Sequence, residues 1–331
     1  MTPPRSILVI CVRYLGDTLL LRPGLRALKA AFPKARIDVV VAARTGCALD
    51  DCGDVSRIIE WPRGILAEAA ALVRLGHYDW AIDFTANDRS AVISLATRAS
   101  LRAAYERPKL PKWSLRRAAY TLRPLHHKKK PHTLIQRMEL LEACGVPSQG
   151  LEIGLRPRTE ALNAATASLA GLPTRILHAH VTSRDMQKAI PVPIVNRVLA
   201  HALASGMGVV ITAGPSGAER SHVVEAIRGL PRESLRVFHD LDWHGLVATI
   251  SLCTGYWGCD TAPSHIASAL NKKMLIHFGP SQSAHWAPLS PQSTADVLPC
   301  ACLRQKCNVC PRGVPGQCLE AIDVERILKW L

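Results

Sequence analysis

A chain of 331 residues with 48% hydrophobic and 20% charged side chains is too apolar for a disordered protein and long enough for two domains with separate cores. No apolar run nears the roughly 18 residues of a membrane span, and the run at 7–12 is stopped by Arg13 before it could serve as a signal-peptide core, so a soluble, cytoplasmic protein is expected. The net charge of +15 selects an acidic partner (nucleic acid, anionic headgroups or a phosphorylated substrate) without choosing among them.

The charge is uneven. Residues 1–150 carry 24 Lys and Arg against 13 Asp and Glu, and 98–130 alone hold 11 basic residues and one acid, Glu106. Residues 7–12 read as a buried parallel strand, because both faces are apolar. The tight loop Arg13-Tyr14-Leu15-Gly16-Asp17 leads into an amphipathic helix over 18–32, with Pro23 as a kink or a late helix start. Strands at 37–42, 57–61 and 80–84, with a helix at 65–75, give the alternation of a doubly wound α/β sheet. The basic segment after Ala99 contains Pro108, Pro111, Pro124 and Pro131, which limits it to loop and short helix. A helix at 132–144 is closed by Gly145-Val146-Pro147.

Residues 150–173, with one helix at 159–170, form the candidate hinge region. A second alternating series follows, with strands at 176–179, 209–212, 236–238 and 256–258 and helices at 193–205, 218–228 and 243–253. Next come the polar loop 259–265, a short helix of small residues, a buried strand at 274–278 and Gly279-Pro280-Ser281. Residues 321–331 close the chain as a helix. The expected architecture is α/β: two Rossmann-like domains with a cleft between them and ligands at the carboxyl ends of the strands. Neither first strand is followed by G-x-G-x-x-G, and no Walker A loop is present, so the fold alone leaves function open.

Four loops carry candidate chemistry. Asp17, at a strand-to-helix turn, is either a general base for an attacking hydroxyl or an N-cap for a helix starting at Thr18. Thr182, Ser183, Arg184 and Lys188 follow the first strand of the second half. Two hydroxyls and two cations there suit a diphosphate leaving group, or form an ordinary solvated loop. Glu219, after Gly214-Pro215-Ser216-Gly217, either takes the hydroxyls of a ribose or complements the dipole of its helix. In Cys259-Asp260-Thr261-Ala262-Pro263-Ser264-His265, Thr261 or Ser264 can cap a helix whose free N–H groups face a phosphate. Asp260 and His265 flank that end.

At these positions the chain resembles the heptosyltransferases, glycosyltransferase family nine, of two-domain GT-B fold. At the front the resemblance rests on Ile7-Leu8-Val9-Ile10, Arg13 to Thr18 and Arg22-Pro23-Gly24-Leu25-Arg26-Ala27-Leu28. At the back it rests on Gly258 to His265 and Phe278-Gly279-Pro280-Ser281. Thr182-Ser183-Arg184 with Lys188, and Asn87-Asp88-Arg89-Ser90 with the basic segment, look most like the lipopolysaccharide heptosyltransferase III branch. The resemblance implies an inverting transferase that moves a heptose from ADP-L-glycero-β-D-manno-heptose to the lipopolysaccharide inner core, without metal or other cofactor. By that similarity Asp17 matches the catalytic base. Thr182, Ser183 and Lys188 match the phosphate contacts, Glu219 the ribose contact, and Asp260, Thr261 and His265 belong to the donor loop. The domains would be an acceptor-binding 1–155 and a nucleotide-sugar-binding 172–331, with 156–171 as hinge and the last helix able to pack back on the first domain. The implied partners are an ADP-heptose-type sugar nucleotide and an acidic, phosphorylated core acceptor, with peripheral contact at the cytoplasmic face of the inner membrane and no nucleic acid.

Eleven cysteines without a secretion signal argue against a disulfide framework. Cys11, Cys47, Cys52, Cys144, Cys253 and Cys259 read as small buried hydrophobes. Cys302, Cys307, Cys310 and Cys318 are either plain reduced thiols or a structural zinc site. His126-His127-Lys128-Lys129-Lys130 read as a solvated loop or a membrane-surface contact. His77, His178, His239 and His244 read as satisfied or surface residues. Two other functions stand beside heptose transfer: transfer of a different ADP- or UDP-linked sugar, and non-catalytic binding of RNA or anionic lipid, which the charge surplus supports. The chain shows no RNP, KH or zinc-knuckle motif to support RNA.

Overall fold

The computed structural model describes residues 3–106, 111, 113–125, 132–299 and 316–331. Cys302, Cys307 and Cys310 of the possible zinc set and the run 126–130 lie outside them. The chain divides into two compact units, Met1–Gly154 and Leu155–Leu331.

In the first unit, β1 (Ser6–Cys11) is the central strand of a parallel sheet. Its apolar run Ile7–Cys11 is fully buried, as a strand covered on both faces must be. The remaining strands are β2 (Arg36–Ala42), β3 (Arg57–Trp61), β4 (Trp80–Asp83) and β5 (Leu101–Ala103), in the order β3-β2-β1-β4-β5. Ile7 is in register with Ile37 on one side and Trp80 on the other. The single helix expected over 18–32 is two: α1 (Leu15–Leu19) and α2 (Arg22–Ala31). Pro23 falls in the first turn of α2, where its missing N–H breaks no helical bond, so it marks a late start. α3 (Ile65–Arg74), α4 (Asp88–Ala96), α5 (Leu115–Ala119) and α6 (Thr133–Ala143) complete the unit. Gly24 lets α6 lie close on α2, since a Cβ there would meet Leu141 at 3.2 Å and Met138 at 3.3 Å. The Asn87–Ser90 signature is the capping box of α4, each residue accepting the other's backbone N–H at 2.9 Å.

In the second unit, β6 (Ile176–His180), β7 (Gly208–Thr212), β8 (Leu235–Phe238), β9 (Gly255–Cys259), β10 (Lys273–Phe278) and β11 (Ser293–Val297) form a parallel sheet in the order β11-β10-β9-β6-β7-β8. The helices are α7 (Thr159–Ser168), α8 (Val192–Ala204), α9 (Gly217–Ala226), α10 (Trp243–Leu252), α11 (Ala262–Ala269), α12 (Ser283–Trp286) and α13 (Val324–Trp330). The segment expected as a hinge contains α7, which packs on α10 inside this unit. The last helix, α13, packs on α8, and its Ile327 joins the core with Leu177, Leu199 and Val209. β9 passes β6 so closely that a Cβ on Gly258 would lie 2.2 Å from the His180 carbonyl oxygen. Of the cysteines read as core residues, Cys11, Cys253 and Cys259 are buried, whereas Cys47, Cys52 and Cys144 are half-buried.

Candidate active site

Ligands of doubly wound sheets bind where the strand order reverses, outside the carboxyl ends of the two strands that flank the reversal. In the first unit those strands are β1 and β4. Their loops are joined by the Thr85 hydroxyl, which accepts from the Val12 N–H at 2.8 Å. Asp17 lies here, inside α1. The N-cap of α1 is Tyr14, and no side chain caps that helix, so Asp17 does not fill the capping role. Its carboxylate is nearly buried and faces Arg137 from α6, with Oδ1 3.5 Å from Nη2. The same guanidinium donates to the Asp17 carbonyl oxygen at 2.7 Å and lies over the Phe84 ring at 5.6 Å. Oδ2 of Asp17 has no hydrogen-bond donor among the described residues. One carboxylate oxygen is therefore oriented by the protein, and the other is available to a substrate proton.

Beside it, Asp83 at the end of β4 is fully buried, and burial pushes its carboxyl above the ordinary range. Its oxygens accept from the Thr85 and Ala86 N–H groups at 2.7 and 3.1 Å and from the Tyr120 hydroxyl at 2.5 Å. Asp83 shapes the β4–α4 turn rather than offering a free oxygen. Arg22 fixes the opposite flank, with a two-bond fork onto Asp51 at 2.7 and 3.2 Å and a bond to the Ala48 carbonyl at 3.2 Å.

In the second unit the reversal lies between β6 and β9. The loops after them carry Thr182, Ser183 and Lys188 on one side and Asp260, Thr261 and His265 on the other. Lys188 Nζ reaches Asp260 Oδ2 at 3.1 Å across the reversal. The Cys259 thiol, pushed up to about 12 by burial, donates to the Thr182 carbonyl at 3.2 Å and ties the same two loops. Glu219, also buried, accepts from the Thr182 hydroxyl at 3.1 Å, the Gly214 N–H at 3.1 Å and the Ser216 hydroxyl at 3.0 Å. A Cβ on Gly214 would sit 2.4 Å from that carboxylate, so a side chain there would displace Glu219 from its present place. Ser183 Oγ accepts from the Asp185 N–H at 3.3 Å. Thr261 is the N-cap residue of α11 but makes no side-chain cap; Ser264 is buried in the first turn and donates to the Thr261 carbonyl at 2.7 Å. In that turn Pro263 has no N–H, and the Ser264 N–H donates to the Thr261 carbonyl at 3.1 Å. His265 is buried one residue on.

Residues 69–313 match the model of glycosyltransferase family 9 (heptosyltransferase). This chain belongs to glycosyltransferase family 9. It is 23% identical over 292 residues to lipopolysaccharide heptosyltransferase 3 of Escherichia coli strain K12, covering 84% of this chain and 83% of that protein. The solved structures that share its fold include these two. The family 9 glycosyl transferase of Veillonella parvula DSM 2008 has a TM-score of 0.81 at 18% identity, with 98% of this chain and 95% of that one covered. E. coli ADP-heptose lps heptosyltransferase II has a TM-score of 0.77 at 20% identity, with 98% and 97% covered.

Within this glycosyltransferase the residues expected at the donor site gather at one strand reversal. Arg137 was not singled out from sequence. Its signal is an arginine beside Leu134, Met138 and Leu141, on the apolar side of α6, where a lone cation needs a buried acid. His178 differs from expectation: it is fully buried against Tyr256, ring centroids 5.4 Å apart, and its Nδ1 has no partner among the described residues. Burial lowers His178 to about 3 and its neighbour His180 to about 4, so both are neutral near pH 7. A cavity of about 430 Å³ at the carboxyl end of β8, lined by Phe238, Leu241, His244 and α7 alanines, contains none of the expected binding residues. Among the described residues no helix is long and apolar enough to cross a membrane, and no cluster of His, Cys, Asp and Glu could hold a metal ion.

Proposed function

We propose that this family 9 enzyme transfers a heptose from an ADP-linked β-heptose to a hydroxyl of the lipopolysaccharide inner core, with inversion at the anomeric carbon and Asp17 as general base. Asp17 Oδ2 takes the proton of the acceptor hydroxyl as that oxygen bonds to the anomeric carbon. The bond from that carbon to the phosphate oxygen breaks, and ADP leaves with the electron pair. Lys188, the Thr182 and Ser183 hydroxyls and the positive dipole end of α11 neutralise the charge that grows on the departing diphosphate. Before donor binds, Asp260 holds Lys188 in place; the diphosphate then competes for the same ammonium. Thr261 and His265 flank the phosphate and sugar end of the donor. Glu219 positions Thr182 and the Gly214 loop, and a ribose hydroxyl would have to share its already occupied oxygens. The basic first unit meets the phosphorylated acceptor, and the enzyme works peripherally at the cytoplasmic face of an anionic membrane.

The observation that carries this reading is Asp17: buried, oriented by Arg137 through one oxygen, and free of the capping role that would otherwise explain it. A thermal-shift series with ADP, UDP and GDP, followed by transfer assays with Asp17→Asn, tests it. Stabilisation by ADP over the other two, retained in Asp17→Asn while transfer is lost, is the expected result. Preference for UDP would assign another donor, and loss of ADP binding together with transfer would make Asp17 a structural residue.

A further inference from the structure

Helix α3 shows its apolar side to water. None of its residues is buried, and Ile65, Leu66 and Val73 are 88%, 86% and 86% exposed. Together with Ala69 and Ala70 they recur at four-residue spacing, forming one unbroken aliphatic stripe along the outer face. The helix's only acid, Glu68, is turned inward, where Arg89 of α4 pairs with it at 2.9 Å and the Trp61 indole N–H donates to it at 3.4 Å. Arg63 and Arg74 bracket the stripe, and neither has a carboxylate partner among the described residues. On the neighbouring α4, Val92 and Leu95 also reach solvent.

From this placement we infer that the outer face of α3 is a lipid-docking surface that seats the first unit in the headgroup layer of an anionic bilayer. An aliphatic stripe without acids enters the acyl boundary, and arginines at both ends meet lipid phosphates; the combination supplies the two signals that stable peripheral attachment requires. Charge argues against a second copy as the occupant. Self-association through this face would bring Arg63 and Arg74 against their own counterparts, on a unit with 24 Lys and Arg against 13 Asp and Glu in residues 1–150. The inference deepens the peripheral-membrane part of the proposed function and is independent of the donor assignment.

Flotation of the full chain with phosphatidylcholine vesicles, with and without phosphatidylglycerol, tests it. The wild type is expected to float with the anionic vesicles. The triple variant Ile65→Gln/Leu66→Gln/Val73→Gln should partition at least about tenfold more weakly, because the apolar term of interfacial binding is gone. Arg63→Gln/Arg74→Gln should weaken flotation on anionic vesicles and leave the weak binding to neutral ones unchanged. All five positions border solvent, and an unchanged melting temperature with retained ADP stabilisation shows that the fold is intact. Triple-variant flotation equal to wild type overturns the role of α3 while leaving peripheral attachment in place. A wild type that stays in the aqueous layer overturns both. A wild-type dimer in light scattering that the triple variant converts to monomer assigns the surface to a second copy instead.

Discussion

The two units share a winding plan but set different charged groups at their strand reversals. In the first, Asp17 and Arg137 form a pair buried on both sides, whereas Arg22 and Glu106 are buried but their partners Asp51 and Arg117 reach solvent. In the second, buried Glu219 accepts from two hydroxyls and a backbone amide, and half-buried Lys188 pairs with buried Asp260 across the strand reversal. A base that must take and release a proton needs an oriented carboxylate, and a permanent cation that cannot itself leave with the proton orients it without competing. A site for a dianionic leaving group needs neutral donors and a cation that can change partner. Under the proposed function, the difference teaches that one sheet plan would serve both tasks, with loop chemistry separating them.

The largest effect should come from breaking the first unit's side of this division. Asp17→Asn removes the proposed proton acceptor, with an expected loss of about 10²–10⁴-fold in transfer rate and no change in ADP-induced stabilisation. Arg137→Met leaves the Asp17 carboxylate buried without a cation and should cost about 3–5 kcal/mol of stability, read by denaturant unfolding. In the second unit, Lys188→Ala deletes a charged donor and should weaken ADP by about 1.5–3 kcal/mol, read by calorimetry; it also leaves buried Asp260 without its cation, so the free protein should unfold at lower denaturant. Gly214→Ala forces a methyl against Glu219 and should cost about 1–3 kcal/mol, accompanied by weaker ADP binding because Thr182 loses its acceptor.

Acid should distinguish the units by sign. His178 and His180 titrate near 3 and 4 in the folded protein, below the ordinary histidine value, so between those values and about 6.5 the unfolded chain binds more protons. Their contribution to stability is present above about 6.5 and is lost as pH falls. Asp83 in the first unit is raised, so there the native state binds more protons and gains stability as pH falls toward the ordinary aspartate range. Hydrogen exchange at pH 7 and pH 5 should show amides of β6 and β7 losing protection more than those of β1 and β4. Equal loss in both sheets would contradict the contrast.

Most of the sheet plan was legible from the chain itself, because strands such as β1, β2, β7 and β9 are buried on both faces and carry that burial as apolar runs. The site loops were legible for the same reason: a loop after a buried parallel strand sits at the carboxyl end of the sheet whatever its neighbours do. β11, with the sequence Ser-Thr-Ala-Asp-Val, was missed because an edge strand is half-exposed and needs no apolar pattern. β5 was hidden by its three-residue length inside the basic segment.

The sequence by itself determined two alternating α/β series, the break before α2 as one of two readings of Pro23, and the loops in which Asp17, Thr182, Lys188, Glu219 and Asp260 stand. Only the tertiary structure decided which partners those side chains take. Arg137 lies 120 residues from Asp17, and Lys188 lies 72 from Asp260. No local periodicity can report such pairings, because they are set by strand order and helix packing. The exposed face of α3 belongs with them: its residues are as apolar as a core helix, and only the packing of the other elements shows that nothing among the described residues covers it.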